Sequence, residues 1–236
     1  MKMTIYLTES FAKFSLENHL RKFFIILIIV GIFGGGIHNL IFALSESEKD
    51  ALLGKLRKTA YNFREVAPDI YRSGLISEEA TPLLKEVGVK TVLSFDNNLK
   101  RARREEEFLK RVGIKFVSMP WSGWDYPKDE TIEKAIVLLE SSQERPILVH
   151  CKQGQERTGV VVACWRIAHQ NWPVKEAYRE MKSCGFRSGR YGHLKDYVYQ
   201  YARKHGQQNA EISNQFERAK IKVLSFFYRL RKLVLN

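Results

Sequence analysis

Cysteine is scarce in this chain of 236 residues: there are three, Cys151, Cys164 and Cys184. An odd number at wide spacing excludes a disulfide framework. With no CxxC pair and no HExxH, nothing has the ligand spacing of a zinc site, and neither a metal nor another cofactor is expected. Packing and catalysis remain as roles for the thiols. Cys164 and Cys184 fall in apolar helical contexts and read as core residues. Acidic residues are also in short supply: 26 Asp and Glu stand against 39 Lys and Arg, a formal net charge of +13. Such a surplus favours polyanionic partners, whether phosphorylated substrates, nucleic acid or an anionic membrane. The basic residues are scattered over helices with no nucleic-acid-binding motif, so nucleic acid is not an expected partner. No internal repeat or low-complexity linker is present. A hydrophobic fraction of 44% and a charged fraction of 28% are those of a globular protein. The length suits one mid-sized domain with tails rather than two full domains.

One stretch has no charge at all. Residues 23–37 read FFIILIIVGIFGGGI, and after His38 and Asn39 the apolar run resumes to Leu44. Arg21 and Lys22 precede it, and the mostly acidic SESEKD follows. The asymmetry predicts residues 1–22 inside and the rest translocated. As a helix, 23–44 would span about 33 Å, the thickness of a bilayer core. An uncleaved anchor is the expectation. A cleaved signal peptide is the rival, favoured by Ala43 and Ser45 near a possible cut. Either route places the remaining chain on the exported side of a membrane. Residues 45–60 read as a charged linker helix.

From about Tyr61 strand and helix patterns alternate. IYRSG (70–74), KTVLSF (90–95), IKFVSM (114–119) and PILVH (146–150) read as strands. Helices are expected at 77–88, with Ser77 as cap, and at 99–113, 128–142, 157–170, 174–185 and 194–204. Strands separated by helices of this length imply an α/β fold, a mostly parallel central sheet flanked by helices. Ligands bind such sheets beyond the carboxyl ends of the strands.

The strand ending at His150 leads into HCKQGQERTG (150–159). A loop between a strand end and a helix start can wrap backbone N–H groups around a phosphate, with the positive end of the helix dipole behind them. Cys151 at its base would be held as thiolate by those groups and by Arg157, and so be nucleophilic at neutral pH. Arg157 offers a planar fork matched to two phosphoryl oxygens. Gly154 permits the tight turn, and Thr158 can hydrogen-bond the sulfur. Lys152, Gln153, Gly154, Gln155, Glu156 and Thr158 are the expected substrate-binding positions.

This stretch resembles the HCxxGxxR(S/T)G signature loop of the protein tyrosine phosphatase superfamily, in particular the bacterial atypical dual-specificity branch. NFREVAPDIYRSG (62–74) and EAYREMKSCGF (176–186) are similar to segments of the same branch, so the resemblance covers roughly residues 61–204. It implies a two-step hydrolysis of phosphate monoesters: Cys151 attacks phosphorus, an aspartic acid protonates the leaving oxygen, and water hydrolyses the phosphocysteine. The acid lies on a loop upstream of the cysteine, which makes Asp125 in PWSGWDYPKDE (120–130) the candidate. The order departs from the family's Trp-Pro-Asp. Asp129, expected to cap the 128–142 helix, and Glu156, expected to orient Arg157, are the alternatives. Asp96 reads as a turn residue and Arg72 as a structural ion-pair partner. The substrate is left open between a phosphoprotein and an inositol polyphosphate or phosphoinositide. Lys152 suits the latter, since lysine at this position meets additional phosphates in relatives that cleave inositol phosphates. A phosphate-binding module without catalysis would require loss of Cys151 or Arg157, and both are present.

Residues 61–206 are thus the expected catalytic domain and 207–236 a basic tail. In that tail Phe216, Val223, Phe227, Leu230 and Val234 share one helical face among six Lys and Arg. This is the pattern of a helix lying on an anionic membrane or docked on the domain.

Overall fold

The structure, a computed structural model, describes residues 36–211 and, beyond them, residues 218, 219, 221–223, 226, 227 and 230; side chains are described from residue 47 onward. The chain divides into two compact units, 1–51 and 52–236. In the first unit residues 36–51 are helical and belong to α1 (Gly36–Thr59). Residues 23–35 of the expected membrane segment lie outside the described residues. Residues 36–44 and the expected linker helix form one continuous helix, because SESEKD contains no glycine or proline to end it. Among the described residues no helix is long and apolar enough to cross a membrane, so the N-terminal hydrophobic helix is not part of the described fold.

The second unit is built on a five-stranded sheet. Its strands are β1 (Arg64–Ala67), β2 (Ile70–Ser73), β3 (Thr91–Ser94), β4 (Lys115–Ser118) and β5 (Ile147–His150), in the order β1-β2-β5-β3-β4. All neighbours are parallel except β1 with β2, so the sheet is mixed, with one antiparallel edge. That edge was not legible as a strand: REVA carries two charges, and its exposed Arg64 and Glu65 hide the alternation.

Side chains alternate across the sheet and feed two cores. Ile70, Leu93, Ile147 and Val149 face a core formed with α4 (Asp129–Glu140), α5 (Glu156–Gln170), α6 (Val174–Ser183) and α7 (Gly192–Lys204). Tyr71, Val92 and Leu148 face the other core, with Leu53 and Leu56 of α1, Leu84 of α2 (Thr81–Glu86), and Phe108 and Leu109 of α3 (Leu99–Arg111). Helix α5 is buried from Glu156 to Ile167, because the sheet and three helices enclose it. Each Val or Ile it buries contributes about 1.5–3 kcal/mol. Cys164 lies on this helix and Cys184 beside α6, both buried, as expected of core thiols.

The helix expected at 77–88 is two pieces, a short 3₁₀ turn (Glu78–Ala80) and then α2. Pro82 explains the break. It has no N–H for the Glu78 carbonyl four residues back, and the Thr81 hydroxyl donates to that carbonyl instead. Ser77 makes no side-chain cap. In the tail, Ile221 is buried against the larger core, while Val223, Phe226, Phe227 and Leu230 are exposed.

Candidate functional site

The register places Ser73, His150 and Ser94 side by side, and Ser118 beside Ser94. Four parallel strands therefore end at one level, and the segments that follow them converge there. Gly74 follows β2, Phe95–Asn98 follow β3, residues 119–128 follow β4, and Cys151–Gln155 follow β5.

The Cys151 loop is held from outside. Gly154 has φ +62°, and a Cβ on it would lie 2.3 Å from the Ser73 carbonyl oxygen, so only glycine fits. Arg72 Nη2 donates to the Gly154 carbonyl (2.8 Å), as does Asn62 Nδ2 (3.1 Å), which also reaches the Cys184 carbonyl (2.9 Å). Arg72 is 1% exposed and burial lowers its pKa, opposed by Cys184, Glu180 and Cys151. It is therefore a buried loop support: its hydrogen bond goes to a main-chain carbonyl, and Glu180 acts on it through charge. Leu75 N donates to the Lys152 carbonyl (3.3 Å), and the Lys152 side chain is exposed.

At the start of α5, Glu156 accepts from Arg187 Nε (2.8 Å), and Arg187 Nη2 reaches Gln153 Oε1 (2.6 Å). The arginine that Glu156 orients is thus Arg187, not Arg157. Gln155 Nε2 donates to the Tyr61 hydroxyl (3.2 Å). Arg157, 8% exposed, gives Nη1 to the carbonyls of Phe95 and Trp121 and to Asn97 Oδ1. It thereby joins the loops after β3 and β4 to the cysteine loop.

Cys151 is 1% exposed. Burial alone would raise its pKa. Arg157, the Thr158 hydroxyl and the N–H groups of Thr158 and Gln153 outweigh burial and lower it below the ordinary thiol value. The Thr158 hydroxyl is buried with no other partner and faces this sulfur. Beneath it, buried His150 places Nε2 3.0 Å from Glu105 Oε1. Burial opposes the imidazolium, but Glu105 raises its pKa. Glu105 is a residue sequence reasoning missed, because it lies mid-helix in a run of exposed charges.

The acid candidates separate. Asp125 lies in the turn after β4, with its N–H on the Ser122 carbonyl (2.9 Å). Two residues earlier, a Cβ on Gly123 would lie 3.8 Å from Arg157 Nε, so this turn borders the arginine. Asp129 lies in the first turn of α4, and the cap position is Lys128. It accepts from Lys204 Nζ (2.6 Å) and the Tyr197 hydroxyl (2.9 Å), which hold its pKa below the usual carboxylate range. Asp96 is no plain turn residue: it is fully buried and takes a two-point grip from Arg101 Nε (2.7 Å) and Nη2 (3.0 Å). Burial raises its pKa, but Arg101 and then Arg157 bring it below the usual value. Asn62, Asn97, Glu105, Arg187 and His193 complete the surroundings. Their partners lie 31 or more residues away in most cases, so no local pattern marks them. Among the described residues no cluster of His, Cys, Asp and Glu could hold a metal ion.

A strand end, a glycine-turned loop, a buried cysteine with lowered pKa and an arginine at the helix start define a thiolate site for a phosphoryl group. Residues 59–220 match the tyrosine phosphatase family, and the chain belongs to that family. The dual-specificity protein phosphatase TpbA of Pseudomonas aeruginosa is 34% identical over 125 residues, 53% of this chain and 55% of that protein. An inositol diphosphatase of Arabidopsis thaliana is 32% identical over 129 residues, 52% of this chain and 61% of that protein. The chain thus spans little more than half the length of these relatives. The crystal structure of P. aeruginosa TpbA superposes with a TM-score of 0.50 at 27% identity, covering 64% of this chain and 88% of that one. The catalytic core of a PP-IP phosphatase from S. cerevisiae gives a TM-score of 0.54 at 24% identity, covering 65% and 96%, and shares the fold.

Proposed function

We propose that the chain is a cysteine-dependent phosphatase hydrolysing phosphate monoesters through a phosphocysteine. Cys151 is the nucleophile, Arg157 the phosphate clamp and Asp125 the general acid. The observation that carries this is geometric: buried Cys151 sits between the end of β5 and a loop turned at Gly154, with buried Arg157 and Thr158 at the start of α5, and these surroundings lower its pKa. A thiol held only for packing would be pushed up, as Cys164 is. The main-chain N–H groups of the 152–156 loop and the Thr158 hydroxyl complete the phosphoryl site. Asp129 and Asp96 are engaged with Lys204 and Arg101 and depressed in pKa, which is the wrong direction for a proton donor near neutral pH. That leaves Asp125. Hydrolysis of p-nitrophenyl phosphate by the full chain tests the proposal. Cys151→Ser is expected to lose at least about a thousandfold in kcat, since nucleophile loss removes the covalent route. Equal rates would refute it.

A second reading concerns the substrate. Exposed Lys152, with Arg187 held at Gln153 of the same loop, favours a compact polyphosphorylated molecule such as an inositol polyphosphate over a phosphotyrosine protein. The inositol diphosphatases among the relatives support this. Parallel assays on phosphotyrosine peptides and inositol hexakisphosphate decide between them.

Placement on the exported side, by an anchor or cleaved signal at 23–44, rests on the sequence of that segment. Exposed Val223, Phe226, Phe227 and Leu230 among cations support an interfacial role for the 207–236 tail. Protease accessibility in spheroplasts tests the first, and flotation with anionic liposomes after deletion of 207–236 tests the second.

A further inference from the structure

The residues on both sides of Asp125 are tied to one platform, the beginning of α7. The Gly123 carbonyl lies 3.1 Å from His193 Nε2. The Trp124 ring packs on Tyr191 at 4.9 Å, and the Arg190 guanidinium lies 4.8 Å from the Trp124 ring centre. After Asp125, the Tyr126 ring lies 5.5 Å from His193, and its hydroxyl donates to Asp196 Oδ2 (3.1 Å). Of these contacts the one from His193 reaches main chain. A carbonyl only accepts, so Nε2 carries the proton. Burial lowers the His193 pKa against the opposing pull of the Gly123 carbonyl, Asp125 and Asp196. The ring is 5% exposed and fixed between Tyr126 and Tyr191. Gly123 in turn borders Arg157. Movement of this peptide would therefore shift the acid against the phosphate clamp.

We propose that His193 is a positioning residue for leaving-group protonation: by hydrogen-bonding the Gly123 carbonyl it fixes the turn that carries Asp125 beside Arg157. The proposal rests on Asp125 as the acid. Nothing local in the sequence marks His193 for this task, because it lies 70 residues from its partner.

Leaving-group dependence separates positioning from packing. p-Nitrophenolate departs with little proton assistance, whereas phenolate needs it, so a misplaced acid penalises phenyl phosphate selectively. In the full chain, His193→Ala is expected to lower kcat/KM for phenyl phosphate about tenfold and for p-nitrophenyl phosphate less than about threefold, a fraction of the ~10²–10⁴ that general acid catalysis supplies. His193→Gln, whose amide can donate to the same carbonyl, is expected to recover most of the loss. Asp125→Asn measured on the same pair should show the same selectivity more strongly. If both substrates lose equally in His193→Ala and His193→Gln while Asp125→Asn is selective, His193 only packs and the proposal fails alone. If Asp125→Asn is itself unselective, Asp125 is not the acid and the proposal falls with it. His193→Gln guards against a folding defect in the alanine variant: a folded glutamine variant that keeps the full selective loss also overturns the proposal.

Discussion

Cys151 and Cys164 are the same group in two surroundings. Both thiols are buried, yet burial raises Cys164 unopposed by any cation, while Arg157, Thr158 and two backbone N–H groups reverse its effect at Cys151. Thr158→Ala removes one of those stabilisers. It should therefore move the midpoint of Cys151 alkylation by iodoacetamide to higher pH; a midpoint that stays or falls would contradict the hydrogen bond. At Gly154 the backbone decides. Gly154→Ala places a methyl group on the Ser73 carbonyl in a positive-φ conformation. It should cost more than about 1 kcal/mol, the penalty for φ alone, and abolish turnover, read by urea unfolding and initial rates. Asp96 contributes through pH. Its folded pKa is depressed, so its stabilisation is present above the unfolded carboxylate value of about 3.9 and is lost as pH falls through the folded value. Asp96→Asn should lower stability at pH 7 and flatten its decline toward pH 3.

Among the elements, those with strong periodicity or an uninterrupted apolar run were legible: β3, β4, β5 and helices α3 to α7 fall where the hydrophobic pattern placed them. The pattern failed where local chemistry overrode it. Pro82 divided one expected helix into a turn and α2, and β1 hid behind its exposed charges. The cysteine loop was legible because its residues are contiguous and each has a local task. Its supports were not: Arg72, Asn62, Glu105 and Arg187 act on partners brought by the topology, and sequence gives no distance across a sheet. Strand β5 carries both cores at once, Leu148 to one side and Val149 to the other. Leu148→Ala should destabilise by about 2–5 kcal/mol in urea unfolding. The folded fraction should keep its turnover at saturating substrate, because Leu148 faces away from the core that holds Cys151.

At the scale of the molecule, the charge of +13 and the exposed Lys152 beside Cys151 bear on which phosphate is preferred. For a polyanion, kcat/KM should fall steeply between low and physiological ionic strength, while p-nitrophenyl phosphate changes little. Equal salt dependence would remove the electrostatic argument for a polyphosphorylated substrate. The central claim is narrower than substrate choice: the phosphoryl group passes through the sulfur of Cys151. Rapid acid quench during turnover of p-nitrophenyl phosphate, followed by mass spectrometry of the peptide containing Cys151, tests it most directly. Asp125, once deprotonated by the first step, is also the base for the hydrolytic water, and p-nitrophenolate needs little acid to depart, so Asp125→Asn slows the second step more than the first and raises the trapped fraction. One added phosphoryl group on Cys151, absent in Cys151→Ser, is the expected result. Turnover with the phosphoryl group on another residue, or turnover that persists in Cys151→Ser, would contradict it.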